Sequence, residues 1–125
     1  AEAAYPVSYT GDWRLIRVNN VDGYYMAISS TPGASVEITA SASRAVIDFW
    51  DYEMYANPGS VDFELDGTSL GRFNLKGAVN ANGKILDYQV TTGKTTASTI
   101  RMTLVTGSVV ICGYVLVFPD TRFSK

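Results

Sequence analysis

Apolar and polar residues alternate with period two along most of this chain, and turn-forming residues separate the alternating segments. The clearest example is Val61–Leu65, where apolar and acidic residues alternate directly before an Asp66-Gly67 turn. No segment has the apolar spacing of an amphipathic helix. The pattern predicts nine strands: Arg14–Val18, Tyr24–Ser29, Ser35–Ala40, Ala45–Trp50, Val61–Leu65, Gly71–Leu75, Ile85–Val90, Ser98–Val105 and Val109–Phe118.

Short strands with regular turns predict an all-β fold, either an antiparallel sandwich or a barrel. The length of 125 residues suits one domain, with residues 1–10 as an N-terminal extension and a core of about 11–118. Alternation assigns a buried face to each strand, and it places Tyr88 and Tyr114 in the core.

The last predicted strand departs from the alternation because it is apolar on both faces. Strict alternation would put Val109, Ile111, Val115 and Val117 on one face, and Val110, Cys112, Tyr114, Leu116 and Phe118 on the other. Such a strand is covered on both faces, either by another part of the chain or by a second subunit. Val109–Phe118 is therefore a candidate contact for a homo-oligomer. Cys112, the only cysteine, is expected to be a buried small apolar residue.

Composition narrows the function classes. Histidine is absent, which excludes Ser-His-Asp and Cys-His catalysis and every histidine-ligated metal site. The net charge of −2 lacks the basic excess of a nucleic-acid-binding protein. No apolar run approaches the length of a membrane span, so no membrane partner is expected. The chain has eight tyrosines and a small net charge, a combination that favours a polar ligand over a strongly charged one.

Several segments follow one another in a familiar order. Tyr9-Thr10-Gly11-Asp12-Trp13 comes first, Thr31–Ile38 follows, Gly59–Gly67 supplies a Gly-strand-Asp-Gly hairpin, and Val109–Val117 closes the series. This order resembles the galactose-binding-like jelly roll, a β-sandwich fold of many non-catalytic carbohydrate-binding modules. Members of that family often carry a histidine ahead of the penultimate strand, where this chain has Thr99.

The resemblance implies a lectin-like accessory module without catalytic residues that binds a neutral or weakly charged glycan of a plant or bacterial cell wall. Such modules accompany bacterial glycosidases and esterases, and they also occur on phage tail and baseplate proteins. The resemblance therefore implies an extracellular or virion-associated location. The alternative is an oligomeric structural or host-adhesion domain of a phage tail or baseplate protein. An enzyme is a third hypothesis, resting on the carboxylates of Asp48, Asp51 and Glu53.

The main candidate site follows the strand Ala45–Phe49. Its aromatic rings suit stacking on a pyranose, and its carboxylates and amide suit hydrogen bonds to sugar hydroxyls. The predicted ligand-binding residues are Trp50, Asp51, Tyr52, Glu53, Tyr55, Asn57 and, at the start of the strand after a separate turn, Tyr25. The alternative is that Trp50 caps the core and the tyrosines pack over the end of the sandwich.

Other polar residues are weaker candidates. Lys76–Lys84, with Asn80 and Asn82, is either a third ligand-binding segment or a solvated loop. Arg72 and Arg101 are expected on the strand surface, paired with Glu64 or with an acid of the ligand.

No cofactor is expected, although family modules often hold a structural calcium ion. Asp12, Asp22, Asp51 and Asp120 offer oxygen ligands, but their spacing matches no calcium loop. The resemblance implies a structural role for Trp13.

Overall fold

Two five-stranded antiparallel sheets form the protein. The computed structural model describes residues 7–17, 25–50, 59–75, 85–94 and 96–117. The first sheet has the order β1-β4-β9-β6-β7 and the second the order β2-β3-β10-β5-β8. The strands are β1 (Val7–Thr10), β2 (Arg14–Arg17), β3 (Tyr25–Ser29), β4 (Ser35–Ala40), β5 (Arg44–Trp50), β6 (Ser60–Leu65), β7 (Thr68–Asn74), β8 (Ile85–Thr91), β9 (Ser98–Thr106) and β10 (Val109–Val117). The predicted all-β antiparallel sandwich is confirmed.

The nine predicted strands are all present, and the largest differences lie at two places. β1 falls within the predicted N-terminal extension, and it pairs with β4 from Val7–Ile38 to Thr10–Ser35. β7 begins three residues earlier than predicted, at Thr68, because Asp66 and Gly67 both adopt positive φ angles of 51° and 85°. That conformation makes a two-residue hairpin whose strands continue up to the turn.

The core lies between the two sheets, and contacts between aromatic rings connect one sheet to the other. Phe63 of β6 stacks on Tyr88 of β8, with ring centroids 3.8 Å apart and an angle of 6° between the planes. Phe49 and Phe73 lie against the same pair. Tyr88 and Tyr114 are partly buried against this core, as predicted. Among the residues that the structure describes, no helix is long and apolar enough to cross a membrane.

A β-bulge in β10 overturns part of the predicted face assignment. The register with β5 shifts between Ile111 and Gly113, so one extra residue interrupts the alternation. Ile111 before the bulge and both Tyr114 and Leu116 after it pack against the same core. The prediction that Tyr114 and Leu116 lie opposite Ile111 is therefore wrong.

The other face of β10 is also covered at one position. Val110 is buried although it does not belong to the core between the sheets, and its cross-strand neighbour Ile28 is buried with it. The structure is a single chain, so the chain itself buries Val110. A homo-oligomer contact through Val109–Phe118 stays a prediction, and Phe118 lies outside the described residues.

Candidate functional site

Two connections between the sheets share one end of the sandwich. β5 ends at Trp50 and β8 begins at Ile85, and these residues are direct backbone partners in the second sheet. In the first sheet β6 begins at Ser60 and β7 ends at Asn74, and these residues are also partners. The connections from β5 to β6 and from β7 to β8 are thus attached side by side. We call this end, marked by Trp50, Ile85, Ser60 and Asn74, the loop rim.

Gly59 fixes the first of these connections to the frame by its main chain. Its amide donates to the Ser108 carbonyl at 3.0 Å, and its carbonyl accepts from the Leu75 amide at 2.9 Å. A Cβ atom at this position would lie 1.5 Å from the Thr106 carbonyl oxygen. Only glycine fits such a close approach. The bond to Leu75 also ties the start of the second connection to the end of the first.

Most of the predicted ligand-binding residues lie beyond the part of the chain that the structure describes. Asp51, Tyr52, Glu53, Tyr55 and Asn57 lie outside the described residues, as do Asn80 and Asn82. Trp50 and Tyr25 are described by their backbones only.

Trp50 and Tyr25 do not lie together along the second sheet. Trp50 belongs to the loop rim, whereas Tyr25 begins β3 four residues before Ser29, which pairs with Val109 near the rim. Four residues of strand span about 13 Å. The structure thus attaches the segments 51–58 and 76–84 at one end, and it places the backbone of Tyr25 farther along the sheet.

The outer face of the first sheet is polar, and its arginines pair with carboxylates on neighbouring strands. Arg72 donates to both carboxylate oxygens of Asp62 at 2.8 and 3.2 Å, and Arg101 lies 3.8 Å from Glu37. Arg72 does not make the expected pair with Glu64, because Asp62 is its direct register partner. Arg101 lies directly opposite Glu64 in the register of β9 with β6, so its pairing with Glu64 stays a prediction. The guanidinium also holds the pKa of the Asp62 carboxyl below its usual range.

This face offers no described ring for sugar stacking. The described aromatic residues of the first sheet, Tyr9, Phe63 and Phe73, all pack towards the core. The described part of this face therefore presents no aromatic ring that could stack flat on a pyranose.

Trp13 has the structural role that the resemblance implies. Its indole N–H donates to the carbonyls of Thr10 and Ser35, each at 3.1 Å. The centroid of its ring lies 5.3 Å from that of the Tyr9 ring. These contacts tie the turn between β1 and β2 to the first sheet. The indole N–H is thus already hydrogen-bonded to two backbone carbonyls.

The residues named for calcium do not come together in the described part of the chain. Asp22, Asp51 and Asp120 lie outside it. The Asp12 carboxylate accepts from the Thr31 hydroxyl at 3.3 Å. Among the described residues no group of three acidic, histidine or cysteine side chains could hold a metal ion.

Thr99, where the chain departs from the family pattern, lies in a network that holds a turn. Its amide donates to the Asp66 carboxylate and its carbonyl accepts from the Asp66 amide, both at 2.8 Å. Lys94 pairs with the same carboxylate at 2.6 Å, and the Thr99 hydroxyl meets that of Thr39 at 3.1 Å. In this chain the position stabilises the β6–β7 turn.

Sequence reasoning missed one pair of carboxyl groups. Asp48 of β5 and Asp87 of β8 are direct cross-strand partners. Burial raises the pKa of Asp48 to about 6, and the hydrogen bond and the charge of Asp87 add to this effect. The sequence contains no sign of the pair, because it arises from the register of two strands nearly forty positions apart.

Comparisons with known proteins identify solved structures that have a similar fold. No protein-family model matches the sequence, and no curated protein matches it. The chain is similar in structure to a family 35 carbohydrate-binding module from Clostridium thermocellum, with a TM-score of 0.56 and 16% identity over 86% of this chain and 88% of the module. The chain has the fold of a carbohydrate-binding module. The predicted resemblance is thus confirmed at the level of fold.

Parts of two larger enzymes share this fold. One is a family two carbohydrate esterase from Clostridium thermocellum, solved in complex with cellohexaose, with a TM-score of 0.61 and 17% identity over 91% of this chain and 34% of the esterase. The other is the catalytic domain of a GH87 α-1,3-glucanase in complex with tetrasaccharides, with a TM-score of 0.59 and 15% identity over 92% of this chain and 26% of that domain. The chain therefore spans about a third of the esterase and about a quarter of the glucanase domain.

Proposed function

We propose that this chain is a non-catalytic carbohydrate-binding module that binds a neutral or weakly charged cell-wall glycan at the loop rim. The observation that carries the proposal is the match to a carbohydrate-binding module over most of both chains. The side-by-side attachment of two long connections at one end supports the location. The role is that of an accessory module in an extracellular protein.

The residues of the first connection supply the binding chemistry. Trp50, Tyr52 and Tyr55 stack on the C–H faces of sugar rings, since apolar rings with a few placed polar groups are typical of such sites. Asp51, Glu53 and Asn57 accept hydrogen bonds from the sugar hydroxyls. Tyr25 is a separate candidate, and its own variant decides whether it belongs to this site.

Binding measurements on single variants test the site. Wild type is screened on a glycan array, with cellohexaose and α-1,3-linked gluco-oligosaccharides included because similar structures hold gluco-oligosaccharides. Titration calorimetry then compares wild type with Trp50→Ala, Tyr52→Ala and Tyr25→Ala. Loss of one stacking ring should weaken binding about tenfold or more, which corresponds to about 1.4 kcal/mol. Leu70→Ala is the matched control, because Leu70 is an exposed apolar residue on β7.

The outcomes separate the function from the site. No binding by wild type to any glycan on the array contradicts the function. Binding that neither Trp50→Ala nor Tyr52→Ala weakens contradicts the site but leaves the function standing. Turnover of a bound oligosaccharide that Asp51→Asn abolishes would contradict the non-catalytic role.

The alternative function is an oligomeric structural or host-adhesion domain of a phage tail or baseplate protein. Two observations suggest it: the apolar residues on both faces of β10 and the absence of the family's histidine. After the bulge, Tyr114 and Leu116 pack against the core, and Val110 is buried within the single chain, so the described structure weakens the first of these observations. We expect a monomer at micromolar concentration by light scattering, and a stable dimer or trimer would favour the alternative.

A further inference from the structure

Asp48 and Asp87 face each other on the outer side of the second sheet. They are direct register partners of β5 and β8, so their side chains point to the same face. Ile47 and Phe49, the neighbours of Asp48 along β5, are fully buried in the core. The carboxyl of Asp48 is therefore on the opposite face, towards solvent. β8 is the edge strand of this sheet, so the pair joins an edge strand to its only neighbour.

The third strand presents a glycine at the same level. Gly113 of β10 is the register partner of Asp48 on its other side. A Cβ atom on Gly113 would lie 3.3 Å from Asp48 Oδ2, so the carboxyl rests over the bare backbone of β10. This contact removes part of the solvent around Asp48, and the side chain is partly buried.

The charged groups along these strands are few. β10 contains no ionisable residue except Cys112 and Tyr114, and Tyr114 points into the core. β8 contributes Asp87 as its only charged residue. On β5 itself, Arg44 lies four residues before Asp48, about 13 Å along the strand. Within these three strands, the charged group that lies directly opposite Asp48 is therefore the carboxyl of Asp87.

Two carboxylates that face each other as a cross-strand pair repel each other when both are charged. When Asp48 is protonated, it donates an O–H hydrogen bond to the Asp87 carboxylate, and bonds of this charge-assisted kind are short and strong. Burial, together with this bond and the charge of Asp87, raises the pKa of Asp48 to about 6. One proton therefore changes a repulsion into a bond between β5 and β8.

We propose that Asp48 and Asp87 form a proton-dependent clasp that ties the edge strand β8 to β5 at mildly acidic pH and releases it as the pH rises. Two positions farther along the same strand pair, the backbones of Trp50 and Ile85 are register partners at the loop rim. The clasp thus acts at the strand pair where the second connection rejoins the sheet. It goes beyond the proposed function and does not depend on glycan binding.

The sign of the pH dependence follows from linkage. The pKa of Asp48 rises from 3.8 to about 6 on folding, so the folded chain binds more protons than the unfolded chain between these values. Stability is then greatest at the acidic side and falls as the pH rises through the folded-state pKa. We expect a melting temperature that is about 3 °C or more higher at pH 5 than at pH 7.5.

Asparagine variants test the clasp by thermal unfolding at both pH values. In Asp48→Asn the amide donates to Asp87 without titrating, so the melting temperature should stay near the wild-type value at pH 5 and no longer fall by pH 7.5. In Asp87→Asn the fall should shrink, because the facing charge is gone. Asp62→Asn is the matched control: it removes the same charge from the other sheet, and the lowered pKa of Asp62 keeps its titration below this range. This variant should keep the wild-type fall.

Two results would overturn the clasp. One is a wild-type melting temperature that does not change between pH 5 and pH 7.5. The other is a fall in Asp48→Asn as large as in wild type. If the variants do not fold, a carboxyl-carbon NMR titration of the wild-type protein decides the question: a midpoint for Asp48 near 6 supports the clasp, and one near 4 overturns it.

Discussion

Two buried serines should respond differently when each is replaced by alanine. Ser29 is 2% exposed, and its hydroxyl donates to the Asp12 carbonyl at 2.8 Å and accepts from the Thr31 amide at 3.2 Å. Ser98 is 3% exposed, and its hydroxyl has no hydrogen-bond partner in the described part of the chain. A hydrogen bond contributes about 1 kcal/mol, whereas a buried hydroxyl without one costs about 1–3 kcal/mol.

Ser29→Ala should therefore lower the free energy of unfolding by about 1–2 kcal/mol, from the loss of two bonds. Ser98→Ala should leave it unchanged or raise it by up to about 1 kcal/mol, because the small void left by one oxygen offsets part of the gain.

Urea denaturation followed by tryptophan fluorescence measures both changes. With a slope of about 1–3 kcal/mol per molar urea, Ser29→Ala should lower the midpoint by roughly 1 M at unchanged slope. The midpoint of Ser98→Ala should not fall. Equal losses of midpoint in the two variants would refute the argument, since they would show that the hydrogen-bond partners do not decide the cost.

Three further predictions concern the frame. Gly59→Ala should lower the free energy of unfolding by more than about 4 kcal/mol in urea denaturation, because the new Cβ would meet a carbonyl oxygen. Gly33→Ala should cost only about 1–2 kcal/mol in the same assay, because Gly33 has a positive φ but open space around it. Trp13→Phe should cost about 1–2 kcal/mol by the same assay, since it keeps the ring and loses the indole donor. Asp66→Asn should lower the melting temperature at pH 7 but not in strongly acidic solution, because the lowered pKa of Asp66 means that its contribution is lost as the pH falls.

Much of the fold could be predicted because local pattern and local turn chemistry agree. The alternation in Val61–Leu65 and the following Asp66-Gly67 turn specify a hairpin without any long-range contact. β1 is not predicted by the sequence pattern because its four residues, Val7–Thr10, give too short an alternation to stand out. Its place as a strand comes from pairing with β4, which lies about thirty residues away.

The features that the sequence did not reveal depend on register. The bulge at Cys112 changes which side chains of β10 face the core. Gly113 is its sign in the sequence, because a glycine inside a strand often marks a bulge, but it does not specify the new register. The meeting of Asp48 with Asp87 likewise follows from the alignment of two strands. The candidate residues Asp51–Asn57 could be selected by their chemistry alone, but the shared attachment of their segment with residues 76–84 required the topology.

The attachment of the loop rim has a consequence for how such a protein can be altered. Its described fixed points, at Gly59, Leu75, Trp50 and Ile85, are held by main-chain pairings. We therefore expect that new sequences grafted between these points would leave those pairings intact. One frame can in this way be given different sugar preferences, much as an antibody domain carries exchangeable loops.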